Sequence, residues 1–87
     1  MESVSFIFQQ EEYTALIYYR WKDDTPKVCV TIMNGELEMK FFGYHQFILN
    51  NENIIPLREP TDPLISDLQK VIIKVLQKHI NTAMLVK

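Results

Sequence analysis

Three side chains could most readily act as a nucleophile and its base. They are those of the one cysteine, Cys29, and of the two histidines, His45 and His79. A cysteine nucleophile needs a neighbouring base to take its proton, so catalysis would require Cys29 to meet a histidine. The strand pattern described below places Cys29 on one face of a sheet, whereas His79 lies on a helix predicted to pack against the other face. His45 could reach Cys29 only through a suitable bend at Gly43. We therefore expect no enzymatic activity and a structural role for all three residues.

The sequence also argues against metal and phosphate chemistry. No two of these three residues have the short spacing, such as Cys-x-x-Cys or His-x-x-x-His, that zinc sites usually show. Gly35 and Gly43 are the only glycines, and two glycines are too few for a phosphate-binding loop. The acidic pairs Glu11-Glu12 and Asp23-Asp24 fall in predicted turns at opposite ends of the sheet, where carboxylates are usually solvated. We therefore expect no metal and no cofactor.

Length and charge limit the remaining classes of function. A chain of 87 residues has room for one hydrophobic core, so we expect a single domain over residues 1–87. Nine basic and eleven acidic residues give a net charge of −2, whereas a surface that binds nucleic acid is usually basic. A protein is therefore the more favoured partner.

Three features predict a cytoplasmic location. The one cysteine cannot form an internal disulfide, and Met1 is followed at once by Glu2 rather than by a basic and then apolar leader. The apolar runs are a few residues long, far short of the roughly 20 residues that span a bilayer. We therefore expect no membrane association.

Alternation of apolar and polar residues predicts an antiparallel meander. The strongest local signal is Asn34-Gly35, because a two-residue type I′ turn needs positive φ at both positions and these residues tolerate it. It predicts a hairpin in which Val28 faces Phe41. Pro56 would confine the last strand to an edge, where a missing N–H group is tolerated. The predicted strands cover about 4–9, 13–21, 27–33, 36–49 with a bend at Gly43, and 54–57.

A C-terminal helix is predicted over about 63–81, followed by a tail over 82–87. Thr61-Asp62-Pro63 is typical of a helix start, because Thr or Asp caps the first turn and proline is tolerated within it. At about 100° per residue an apolar stripe follows one side of this helix; its members are Leu64, Leu68, Val71, Ile72, Val75, Leu76 and His79. The predicted fold class is α+β, an antiparallel β-meander of four to five strands with one C-terminal α-helix packed across one face.

One helix leaves the other face of the sheet uncovered, and apolar side chains there would form an interaction surface. Tyrosine, methionine and arginine, which are enriched in interfaces, occur on it. The helix is also apolar over a wider arc than one sheet face requires. The predicted partner-binding residues are Leu16, Tyr18, Arg20, Met33 and Phe42 on the sheet, and Ile73 and Ile80 on the helix flank. A loop one residue longer before strand 27–33 would instead turn the other residues of strand 13–21 away from the helix.

The first functional hypothesis is a small non-enzymatic protein-interaction module that binds a protein partner or a second copy of itself. Short acidic chains of this kind are common among phage and mobile-element proteins that inhibit a host enzyme by occupying its surface. The sequence allows the role of inhibitor or adaptor without selecting it.

The alternative hypothesis is a domain that binds single-stranded nucleic acid. Tyr18 and Phe42 could stack bases. The basic residues expected to contact the phosphates are Arg20, Lys22, Lys27 and Lys40. The order of strands followed by one helix is loosely similar to that of the dimeric single-strand-binding transcriptional coactivators. That similarity is one of topology alone.

Overall fold

Five antiparallel strands form one curled sheet, and a long C-terminal helix packs across one of its faces. This computed structural model describes residues 2–22, 25–50 and 53–85. The elements are β1 (Glu2–Phe8), β2 (Glu11–Lys22), β3 (Thr25–Ile32), α1 (Gly35–Phe41), β4 (Gln46–Asn50), β5 (Asn53–Pro56) and α2 (Pro63–Leu85). The strands lie in the order β1-β2-β3-β4-β5, and the predicted α+β class is confirmed.

The register of β2 and β3 places their residues on the two faces as expected. Ile17 lies opposite Val30, and both are buried. Successive side chains of a strand point to opposite faces, so Leu16, Tyr18 and Arg20 lie on the side away from α2. We call the face against α2, which carries Ile17 and Val30, the inner face, and the opposite face the outer face.

The segment predicted to continue the sheet after Asn34 begins instead with a short helix, α1. Asn34 has extended backbone angles, φ −157° and ψ 114°, and its side-chain oxygen accepts a hydrogen bond from the Leu37 amide at 3.0 Å. It is therefore the N-cap of a helix rather than the first residue of a turn. Leu37 and Phe41, four residues apart, are both buried on one side of α1. The Asn34-Gly35 hairpin is wrong, and the strand predicted over 36–49 with a bend at Gly43 is wrong over 36–45, since β4 covers only Gln46–Asn50.

Because α1 replaces a strand, the backbone of residues 30–32 in β3 forms hydrogen bonds with groups outside the sheet. The Ile32 amide donates to the Glu38 side chain at 2.6 Å, and the Val30 amide donates to the His45 carbonyl oxygen at 3.0 Å. Only residues 27–29 of β3 pair with β4, which places Phe47, not Phe41, opposite Val28. Buried backbone donors are thus satisfied without a strand.

A tight turn joins β1 to β2 at Gln9-Gln10, where the sequence contains none of the usual turn residues. The two glutamines have φ of 52° and 67°, and Phe8 pairs with Glu11 on either side of them. Positive φ at both central residues is the requirement of a type I′ turn, which Asn-Gly normally meets. Glutamine is not one of the residues that favour positive φ, so the sequence predicts only a longer polar turn at this position.

The bounds of the other predicted strands agree with the structure to within two residues. The strands expected at 4–9, 13–21, 27–33 and 54–57 correspond to β1, β2, β3 and β5.

Helix α2 begins where predicted and extends beyond residue 81. The Asp62 carboxylate accepts a hydrogen bond from the Leu64 amide at 2.8 Å, which caps the first turn. The buried stripe contains Ile65, Leu68, Gln69, Ile72 and Leu76. The expected tail over 82–87 is helical as far as Leu85, and its last two residues lie outside the described residues.

Replacing Gly35 by alanine tests the helical conformation of α1. Gly35 has no positive φ, and no atom lies within 4 Å of the added Cβ, so Gly35→Ala should raise the free energy of unfolding by up to about 1 kcal/mol through helix propensity. Gly43→Ala is the matched control. Gly43 has φ +95°, so alanine there should lower stability by about 1 kcal/mol or more. Urea denaturation measures the stability of both variants. A loss of stability in Gly35→Ala would contradict the helix and favour the Asn34-Gly35 hairpin.

Candidate interaction surface

A continuous row of side chains crosses four strands on the outer face. Arg20 lies opposite Lys27, Lys27 opposite Ile48, and Ile48 opposite Ile55. The neighbouring row joins Tyr18, Cys29 and Gln46, and the next pairs Leu16 with Thr31. We call six of these residues the outer patch: Leu16, Tyr18, Arg20, Lys27, Ile48 and Ile55.

The side of the outer patch towards β5 is apolar. Ile48 is half-buried, and Ile55 retains 44% of its side-chain exposure on the edge strand. Leu57, whose amide donates to the Gln46 carbonyl oxygen, is also exposed just beyond β5. Because β-branched and leucine side chains gain about 25 cal/mol for each Å² of apolar surface removed from water, this side would favour an apolar partner.

The opposite side of the outer patch is basic. Arg20 and Lys27 are direct cross-strand partners, and like charges placed in this way destabilise a sheet. Neither residue makes an ion pair with a carboxylate in the described ranges 2–22, 25–50 and 53–85. With Trp21 and Gln46 they line a depression of about 300 Å³. The arrangement can therefore accept a negative charge.

Tyr18 lies on the basic side of the outer patch, two residues before Arg20 on β2 and opposite Cys29. Burial raises the pKa of its hydroxyl above the ordinary value, and its interaction with Cys29 adds to the shift. The Glu38 carboxylate raises the pKa further, whereas Arg20 opposes the shift. Tyr18 therefore stays neutral at physiological pH and offers a hydrogen-bonding hydroxyl beside an apolar ring.

The cysteine and the two histidines each have structural contacts. Cys29 is only 1% exposed although it lies on the outer face. The His45 ring accepts a hydrogen bond from the Gly43 amide at 3.1 Å and stacks on Phe42 with ring centroids 5.1 Å apart. The His79 ring contacts the Glu2 carboxylate at 2.6 Å. His79 thus ties α2 to β1.

The structure places the three predicted β2 residues, Leu16, Tyr18 and Arg20, together in the outer patch. Met33 follows β3, where its amide donates to the Thr14 carbonyl oxygen, and its side chain is exposed. Phe42 is 72% exposed but caps the end of α1 rather than lying in a strand.

The two helix residues predicted to bind a partner lie on the other side of the sheet. Ile73 and Ile80 are half-buried and pack against the hydrophobic core. The seven predicted residues therefore do not form one surface, because α2 and the outer patch are separated by the sheet.

Sequence reasoning missed the β4 and β5 part of the outer patch. Ile48 was assigned to a strand that began at residue 36, so its cross-strand neighbours could not be deduced. The available signal was the alternation in Gln46–Asn50 and Asn53–Pro56, which turns Phe47 and Ile54 inward and Ile48 and Ile55 outward.

Comparison with known proteins assigns the chain to no family. No family model matches it, and searches of curated proteins and of solved structures likewise found no match. Within the described residues, no three His, Cys, Asp or Glu side chains come close enough together to hold a metal ion. The described helices also include none with the length and apolar character needed to cross a membrane.

Removing the Tyr18 hydroxyl should change how stability depends on alkaline pH. A pKa raised on folding means that the native state binds the proton more tightly, so stability is lost as pH rises above about 10. Tyr18→Phe removes this loss, and the variant should lose less stability than the original chain between pH 8 and pH 11. Urea denaturation at each pH measures the two profiles. Parallel profiles would show that burial does not affect the Tyr18 hydroxyl.

Proposed function

We propose that the chain is a small, non-enzymatic module that binds an acidic and partly apolar segment of a protein partner on its outer patch. The observation that carries the proposal is the row from Arg20 through Lys27 and Ile48 to Ile55, which spans four strands on the face opposite α2. Tyrosine and arginine, which are enriched in protein interfaces, occur on this face as Tyr18 and Arg20.

The charge arrangement supports an acidic partner. A carboxylate placed between Arg20 and Lys27 would turn a repulsive cross-strand pair into two attractive contacts. Ile48 and Ile55 would meanwhile bury apolar surface beside it. Electrostatic attraction of this kind mainly sets the rate and specificity of association, and apolar contact adds affinity.

In this proposal the chain is located in the cytoplasm and acts as an inhibitor or adaptor of phage or mobile-element type. The single thiol of Cys29 is free and buried, which fits a reducing compartment. A chain of 10.3 kDa with a sheet face free for contact fits a protein that acts by occupying the surface of another.

A second candidate function, binding of single-stranded nucleic acid, is supported by Trp21. Its side chain is 75% exposed beside the Arg20 and Lys27 depression. Because Trp21 points to the opposite side of β2 from Arg20, a strand passing round the end of β2 could stack a base on the indole while Arg20 and Lys27 contact phosphate. The Phe42 ring expected to stack a base is instead occupied by His45.

Reversing the two charges of the outer patch tests the proposal. A peptide library selected on the immobilised chain should yield acidic and apolar sequences, and the Arg20→Glu, Lys27→Glu variant should bind them at least about tenfold more weakly. The variant keeps a like-charge pair, so its stability should change little. The matched control is Lys70→Glu with Lys74→Glu, which makes the same charge change on the exposed side of α2.

Two results would contradict the proposal. Equal loss of peptide binding in the α2 control would show a general charge effect, and unchanged binding in the outer-patch variant would place the site elsewhere.

A labelled single-stranded oligonucleotide tests the second candidate function, binding of nucleic acid. Salt-sensitive binding that Trp21→Ala removes would favour nucleic acid, and absence of binding at low salt would end that candidate.

A further inference from the structure

The two edges of the sheet differ in how they are protected. Edge strands expose unpaired backbone groups, and proteins usually protect them with proline, charged side chains or short length. β5 is four residues long and ends at Pro56. β1 is seven residues long, contains no proline and carries Glu2 as its one charge. The β1 edge is therefore open to strand pairing.

The hydrogen bonds of β2 show which β1 groups point outwards. Thr14 accepts from the Met33 amide, so its backbone groups face β3. Because antiparallel strands alternate, the groups of Ala15 face β1 and its partner Val4. Every second residue of β1 thus bonds to β2, and the residues between them point away. The residues whose backbone N–H and C=O groups point away from β2, at the open edge of the sheet, are Ser3, Ser5 and Ile7. We call these three the outward residues.

We propose that β1 pairs with β1 of a second copy of this chain, antiparallel and with Ser5 opposite the second copy's Ser5. In this register Ser3 lies opposite the second copy's Ile7, so every outward residue meets an outward residue. Each of the three donates one hydrogen bond and accepts one, which gives six across the pair. A shift of two residues in either direction leaves one outward residue of each chain unpaired.

A groove beside the β1 edge provides apolar contact for the added strand. It measures about 410 Å³, lies between β1 and α2, and is lined by Val4, Ser5, Val75, Lys78 and His79. Two strands joined by hydrogen bonds alone are marginally stable, so an added strand needs such contact. The Ser5-centred register places the second copy's Phe6 opposite Val4, on the side of the sheet that faces the groove.

The charge and size of the β1 side chains favour a second copy as the occupant. Antiparallel pairing separates the two Glu2 carboxylates to opposite ends of the joined strands, opposite Phe8 of the other copy. At the two-fold axis the facing side chains are serines, which allow close approach. The strand is therefore complementary to itself, as an isologous interface requires.

This dimer is independent of the proposed function, because it uses the edge of the sheet and leaves the outer face free. It would form one sheet of ten strands, five from each copy. Each copy would present its outer patch on the same side of that sheet.

Light scattering across a dilution series tests the proposal on the full chain. The wild-type chain should approach twice its 10.3 kDa monomer mass at high concentration. Ser5→Lys places like charges opposite each other at the axis, and Ser5→Pro removes an outward donor without removing a bond to β2. Both should halve the mass at the same concentration. Asn53→Lys, which adds the same charge to the opposite edge, should remain dimeric.

Circular dichroism checks that each variant is folded, and Ser5→Lys keeps the test decisive if the proline variant unfolds. A wild-type mass that stays at 10.3 kDa at every concentration would overturn the dimer. So would a dimer that Ser5→Lys leaves intact. A dimer disrupted by Arg20→Glu with Lys27→Glu, and not by Ser5→Lys, would overturn it as well and would place self-association on the outer patch.

Discussion

Burial of the inner sheet face under α2 is the interaction on which the rest of the structure depends. Leu68, Ile72 and Leu76 on the helix are essentially inaccessible to solvent, as are Ile17 and Val30 on the sheet. Each such side chain contributes about 1.5 to 3 kcal/mol on full burial. Because one helix must cover the inner face of a five-stranded sheet, the sheet curls until α2 contacts both edge strands, β1 and β5. Within residues 2–22, 25–50 and 53–85, no second layer covers the outer face.

Polar groups buried by this arrangement are satisfied at specific points. Gln69 of α2 is a buried polar residue, and its amide donates to the carbonyl oxygens of Tyr44 at 3.1 Å and Arg58 at 2.9 Å. It thereby holds the segment before β4 and the segment after β5 against the helix. Glu38 performs a similar task at the β3 edge, where its carboxylate accepts from the Ile32 amide. Removing the Gln69 amide or the Glu38 carboxylate would leave part-buried backbone groups without these partners, which would lower stability.

Elements set by hydrophobic period could be predicted from the sequence. The α2 stripe through Leu68, Ile72 and Leu76 repeats at helical spacing, and the β2 alternation assigned Leu16, Tyr18 and Arg20 to the outer face. Asn34-Gly35 could not be resolved locally. Asparagine favours both a turn and a helix N-cap, and the burial of Leu37 and Phe41 in the core decides between them. Tertiary packing thus overrode the turn preference.

The outer patch was only partly predictable for the same reason. Its β2 residues follow from local alternation, but Lys27, Ile48 and Ile55 join them only through pairing across four strands. That pairing depends on where β4 begins, which α1 determines. The Gln9-Gln10 turn was predicted only as a longer polar turn, because its positive φ values are imposed by the pairing of Phe8 with Glu11. Long-range register therefore sets what local residue preferences leave open.

Paramagnetic relaxation of side-chain methyl groups by a soluble gadolinium chelate would test most directly whether the outer face is uncovered. The measurement is made at low protein concentration, where self-association is minimal. Ile55, on the outer face, should relax strongly, and Ile48 should follow it to a smaller extent. Ile54 and Ile72, which are buried on the inner side, should be nearly unaffected. Equal protection of Ile55 and Ile72 would contradict the proposal, because it would mean that another part of the chain covers the outer patch.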